Sequence, residues 1–222
     1  MATSTVEQYL KTLFNLKRRS ANVVRMKELA DAMDVTPGTA TAMVKYLDRQ
    51  GLVEYTPWKG SVLSKKGEAL AIKILRRHRL IETFLEKVLG YDWAEVHAEA
   101  EQLEHAVSEL FIERIDALMG RPANDPHGFP IPSAHGVIDA EPYESLATLQ
   151  HGTRVVIVKL SDETTEFLTL MKEHGLKPGE EFVVTQNSSA SGVVTVRSET
   201  TGADFTLSRE IADKVHVRNV DE

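Results

Sequence analysis

Imidazoles and carboxylates recur one helical turn apart in two neighbouring segments of this sequence. His78 and Glu82 stand at i and i+4, and His97, Glu101, Glu104 and His105 at i, i+4, i+7 and i+8. On an α-helix these spacings put side chains along one face. Two antiparallel helices joined at Gly90 bring the faces together, and mixed imidazole nitrogen and carboxylate oxygen suits a divalent first-row metal ion. The plainer alternative is a solvated helix face, since Glu is common on helices. Three His, each with a carboxylate a turn away, favour the metal. His127, in Asp125-Pro126-His127-Gly128, is intermediate: it either donates a ligand or caps a turn. His135, His151, His174 and His216 lack such company and read as surface or structural residues. The absence of cysteine rules out thiolate ligands, disulfides and a thiol nucleophile, which fits a cytoplasmic location.

The helices that carry these ligands are expected over Lys66–Leu89 and, after a break at Gly90-Tyr91-Asp92, over Trp93–Met119. Ahead of them lie short helices and a hairpin. Val6, Tyr9, Leu10, Leu13, Phe14 and Leu16 form one apolar helical face, and MKELADAM (26–33) a second short helix. Thr36-Pro37 is an N-cap followed by proline at the first helical position, and the helix it opens ends at Gly51. LVEY and SVLS then flank Thr56-Pro57-Trp58-Lys59-Gly60 as two strands around a loop. Helix, turn, helix and hairpin in that order make a winged helix-turn-helix, whose second helix enters the major groove. Thr36, Pro37, Gly38, Thr39 and Thr41 begin that helix. Small hydroxylated side chains there contact phosphates and thymine methyls. Lys45, Arg49, Lys59, Lys65 and Lys66 are candidate phosphate contacts.

The net charge of −7 conceals a division: residues 1–79 hold 15 Lys and Arg against 7 Asp and Glu, whereas residues 80–222 hold 11 against 26. A basic first third on an acidic remainder suggests one segment facing phosphates, with the carboxylates used elsewhere. No secretory signal and no membrane span are expected. Residues 121–136 are rich in Pro and Gly and read as a linker or ordered loop. From about Ser145, TRVVIVKL, EEFVVTQ, GVVTVRS, DFTLS and KVHVRNV alternate with period 2, with LKPGEE as a turn, which suggests a small β-barrel.

The stretches EQYLKTLFNL, VTPGTATAMVKYLDRQGLVEY, RRHRLIETFL, EVHAEAEQLEH and DPHGFPIP resemble the iron- and manganese-dependent repressors of the diphtheria toxin repressor type. The C-terminal strands resemble the SH3-like domain shared with ferrous-transport accessory proteins. The resemblance implies a mainly α fold with β in three domains. These are a winged helix-turn-helix (1–73), a central helical metal-binding and dimerisation domain (74–141) and an SH3-like barrel (145–222). It implies two metal sites per chain: an ancillary one of His78, Glu82 and His97 with Glu163 and Glu166, and a primary one of Glu101, Glu104 and His105 with Gln8. Iron-responsive members carry sulfur where Glu101 and Gln8 stand, and manganese-responsive members carry carboxylates. Glu101 therefore points to Mn(II) rather than Fe(II), while Gln8 departs from both patterns and Lys11 shares its helix face. The implied protein is a homodimeric, non-enzymatic regulator that binds double-stranded operator DNA when metal joins the first helix, the central helices and the SH3-like domain. Two rivals are weaker. Glu101-x-x-Glu104-His105 is only superficially like the metalloprotease pattern H-x-x-E-H, and no nucleophile accompanies it. A winged-helix repressor sensing an organic ligand leaves the acidic remainder unexplained.

Overall fold

A computed structural model of the chain describes residues 3–17, 23–139, 141–188 and 190–220. The chain divides into two units, Met1–His78 with Glu104–Val107 and Pro132–Ile138, and Arg79–Leu103 with Ser108–Ile131 and Asp139–Glu222.

The first unit contains α1 (Ser4–Lys17), α2 (Met26–Ala32), α3 (Pro37–Arg49), the strands β1 (Val53–Thr56) and β2 (Gly60–Leu63), and the first part of α4 (Lys65–Lys87). Helix α1 buries Val6, Tyr9, Leu10, Leu13 and Phe14 on one stripe, with Lys11 buried beside them. Ala40, Val44 and Leu47 of α3 complete the core together with Leu29, Leu52, Ala71 and Leu75. The expected cap is present: the Thr36 hydroxyl accepts from Thr39 N, and Pro37 opens the helix. Asp34 makes the preceding turn at φ 50°. The hairpin pairs Val53 with Leu63 and Thr56 with Gly60. Gly60 sits at φ +132°, and a Cβ there would lie 2.5 Å from the Val24 carbonyl oxygen, so the wing can press on residue 24 only through glycine.

The second unit takes the rest of α4, then α5 (Val96–Leu103) and α6 (Glu109–Leu118). The continuous helix expected over Trp93–Met119 is in fact two. Residues 104–108 leave the helix, and Ser108 starts a new one by accepting from Phe111 N. A six-stranded antiparallel sheet follows, from β3 (Glu144–Ser145), β4 (Arg154–Leu160), β5 (Glu181–Ser188), β6 (Val193–Ser198), β7 (Asp204–Ser208) and β8 (Val215–Asn219). Its order is β3-β8-β4-β5-β6-β7. No pairing joins β3 to β7 among the described residues, so the strand order of this SH3-like sheet is an open one where strand spacing suggests a small barrel. Period-2 burial of Val155, Ile157, Val194, Val196, Val215 and Val217 forms its core, covered by Phe167, Leu168 and Met171 of α7 (Thr165–Glu173), a helix the sequence reading left out. A short helix α8 (Arg209–Asp213) precedes β8. No helix among the described residues is long and apolar enough to cross a membrane.

Candidate metal centre

Glu82 of α4, His97 of α5, the loop residues Asp125 and His127, and Glu163 just before α7 all belong to the second unit. His97 Nδ1 lies 3.0 Å from Glu82 Oε1 and 3.9 Å from Glu163 Oε1. His127 Nδ1 lies 3.8 Å from the same Glu82 oxygen and 3.9 Å from the same Glu163 oxygen. Glu82, Asp125 and His127 each offer a ligand atom within 4.8 Å of the others, and all three are buried.

The loop is built to aim its imidazole. His127 Nε2 is 2.9 Å from the Trp93 carbonyl oxygen. A carbonyl only accepts, so Nε2 carries a proton, and Nδ1 is the ring nitrogen left to face the carboxylates. That Nδ1 is buried and has no hydrogen-bond partner among the described residues. It faces carboxylate oxygens at separations too long for hydrogen bonds. Ligand bonds of roughly 2.0–2.2 Å to one shared cation account for such spacings, and the second bond from Nε2 to a backbone carbonyl is how metal-ligating histidines are commonly oriented. Asp125 Oδ1 accepts from the backbone of His127 and Phe129, which turns Oδ2 toward Arg79 Nε at 3.5 Å. Burial, and then the neighbouring Glu82 carboxylate, push the Asp125 carboxyl up to about 7, against the pull of Arg79 and His127. Gly128 completes the turn at φ +87°, where a Cβ would fall 1.9 Å from the Val158 carbonyl oxygen of β4. The donor set therefore fits a divalent cation. Glu163 joins it, whereas Glu166, on the first turn of α7, is exposed. Glu101 stands 3.9 Å from His97 Nε2, at the edge of this group.

His78, Glu104, His105 and Gln8 fall in the first unit. His78 Nδ1 is 2.5 Å from Glu104 Oε2, and the Lys11 ammonium donates to both Glu104 oxygens at 2.8 and 3.0 Å. Burial alone would raise the Glu104 carboxyl, but His78 and Lys11 outweigh it and hold it below the usual value. His105 Nδ1 meets Glu7 Oε2 at 2.7 Å, and Arg77 reaches the other Glu7 oxygen at 3.8 Å. Gln8 is half-buried on α1. Its neighbour Glu7, not among the expected ligands, is the residue that meets His105.

The candidate DNA face is open. Thr36, Pro37, Gly38 and Thr39 are exposed at the start of α3, Thr41 is half-buried, and Lys45, Arg49 and Lys59 are exposed. Trp58, at the wing tip with φ 67°, is 103% exposed.

Three family models match the sequence: "Iron dependent repressor, N-terminal DNA binding domain" over residues 1–61, "Iron dependent repressor, metal binding and dimerisation domain" over 64–133, and "FeoA domain" over 144–219. The iron-dependent repressor IdeR of Mycobacterium tuberculosis is 31% identical over 228 residues, covering 97% of each chain. The chain belongs to the iron-dependent repressor family. A solved manganese-dependent transcriptional repressor in complex with manganese resembles this repressor with TM-score 0.89 and 34% identity, over 97% of this chain and 100% of that one. The transcriptional regulator MntR of Oceanobacillus iheyensis is 34% identical over 119 residues, 54% of this chain and 80% of its own. Within this family member, Glu82, His97, Asp125 and His127 fall in the metal-binding and dimerisation domain, and Glu163 in the FeoA domain. The residues matched to the dimerisation domain include the exposed apolar side chains Val88, Leu89, Leu110, Phe111 and Leu118.

Proposed function

We propose that this chain is a homodimeric repressor that binds double-stranded operator DNA when Glu82, His97, Asp125, His127 and Glu163 hold a divalent metal ion, Mn(II) ahead of Fe(II). The observation that carries the reading is the buried His127 Nδ1, which lies 3.8 and 3.9 Å from Glu82 and Glu163 oxygens and has no hydrogen-bond partner among the described residues. The donors are two imidazole nitrogens and carboxylate oxygens with no sulfur, and hard oxygens suit Mn(II) better than thiolates do. The solved manganese-dependent relative supports the same preference.

When bound, the ion supplies the positive charge that lets these carboxylates stand together in a buried place. The chain does the rest. Trp93 fixes the His127 tautomer, the 125–128 turn aims Asp125, and Arg79 compensates one carboxylate. The exposed start of α3 and Lys59 of the wing meet DNA, where phosphate contacts set affinity and make it salt-dependent. Because binding is reciprocal, operator DNA raises metal affinity by the factor by which metal raises DNA affinity. The test is selection of sites from a random duplex library, then affinity for the enriched duplex at one fixed salt concentration in chelator, Mn(II), Fe(II) and Zn(II). Metal-dependent affinity greatest with Mn(II) is expected. Equal affinity in chelator and in metal overturns the proposal.

A further inference from the structure

The two clusters of titratable groups are in opposite electrostatic conditions. At the Glu82 centre, three carboxylates (Glu82, Asp125 and Glu163) have one fixed cation among the groups named, Arg79, 3.5 Å from Asp125. The first-unit cluster is balanced as it stands, with Lys11 and Arg77 facing Glu104 and Glu7. Lys11 is 4% exposed and Glu104 0%. Both Glu104 oxygens are engaged by the ammonium, one of them also by His78. These are charge-assisted bonds, and a divalent ion on the same oxygens would sit within a few ångströms of an ammonium that repels it with twice the force of a unit charge.

We propose that Lys11 is a tethered cation standing in place of a second metal ion. Its Nζ binds Glu104 and ties α1 to the 104–107 segment whether or not metal is present, so the chain takes up one ion, at the Glu82 centre, instead of two. The metal ligation expected of Glu104, His105 and Gln8, together with Glu101, is thereby replaced by a permanent ion pair. Metal acts on the acidic second unit alone, and the first unit keeps its α1 anchorage in metal-free protein. This inference takes from the proposed function only that the Glu82 centre binds metal.

The experiment is equilibrium dialysis of metal-stripped full-length protein against Mn(II), with elemental analysis, for the wild type, Lys11→Glu, His127→Ala and the double variant. Lys11→Glu is expected to hold one Mn(II) more than the wild type, and to keep that extra ion when His127→Ala is added. Equal uptake by Lys11→Glu and the wild type overturns the inference. So does a wild-type ion that survives His127→Ala and is lost on Glu104→Gln. If Lys11→Glu gains its ion while His127→Ala leaves wild-type uptake unchanged, the Glu82 centre is refuted and the role of Lys11 stands. Should Lys11→Glu fail to fold, the uncharged Lys11→Met carries the test in thermal melts. In the His127→Ala background, Lys11→Met should melt lower in chelator, and Mn(II) should raise its melting temperature more than that of the Lys11 parent. Equal shifts overturn the proposal.

Discussion

Replacing His127 by Ala removes a buried nitrogen, Nδ1, that lies 3.8 and 3.9 Å from two carboxylates of the centre. Loss of a residue that merely orients a ligand weakens metal binding by about 10–100-fold, so loss of the nitrogen itself belongs at the upper end, about 100-fold. At free Mn(II) 100 times the wild-type dissociation constant, binding stabilises the fold by about 2.7 kcal/mol, whereas a 100-fold weaker site at the same concentration contributes about 0.4 kcal/mol. In a chain of this size 1 kcal/mol moves the melting temperature by about 2–4 °C, so the Mn(II)-induced rise should be about 5–11 °C for the wild type and about 1–2 °C for His127→Ala. The variant also loses its bond to the Trp93 carbonyl and its ring contact with the indole at 5.7 Å. Each protein is therefore compared with its own melt in chelator. An undiminished Mn(II) shift in His127→Ala refutes the assignment of His127 as a ligand.

The remaining predictions concern pH, DNA and assembly. Burial, with the Lys159 ammonium beside it, holds His216 down at about 4 against an ordinary 6.5. Between those values the unfolded chain takes up a proton that the folded one refuses, so stability falls as pH drops from about 6.5 towards 4. His216→Gln should flatten that part of the melting-temperature profile, and an unchanged profile refutes the link. Lys45→Ala and Lys59→Ala should each weaken binding to all duplexes alike and reduce the slope of log affinity against log salt by about 1; a slope that stays put removes that lysine from the phosphate contacts. Leu110 and Leu118 are 61% and 67% exposed on α6, so Leu110→Arg with Leu118→Arg should shift sedimentation from dimer to monomer and weaken operator binding together. A dimer that persists places the interface elsewhere.

Local chemistry made much of this fold legible in the sequence. Thr36-Pro37 and Gly51 bracket α3 within a few residues of where its backbone starts and stops, and the apolar stripe of α1 needs no distant partner to be seen. What escaped depends on tertiary context. Apolar periodicity runs through residues 104–107, so nothing local showed that Glu104 and His105 leave the helix to meet Lys11, His78 and Glu7. Glu7 and Gln8 are adjacent on α1 and about 100° apart around its axis, and only packing decides which of them His105 meets. Asp125 and His127 lie in a short turn whose relation to Glu82 is set by Gly128 pressing on β4, a constraint invisible from spacing. Strand alternation showed the sheet but not its order, because pairing is non-local. Helix α7 was hidden among threonines that suit strands equally well.

The chain contains two tryptophans, and they stand at opposite extremes. Trp58 is wholly in water at the wing tip, while Trp93 is 5% exposed and its carbonyl holds His127. Their emission should therefore separate by colour, a red component from the wing and a blue one from beside the metal centre. Paramagnetic Mn(II) at the proposed centre should quench the Trp93 emission, and bound duplex DNA should alter that of Trp58. The unlabelled protein thus carries two optical channels, so a single titration can follow metal arrival and DNA engagement as separate events and reveal their order in time.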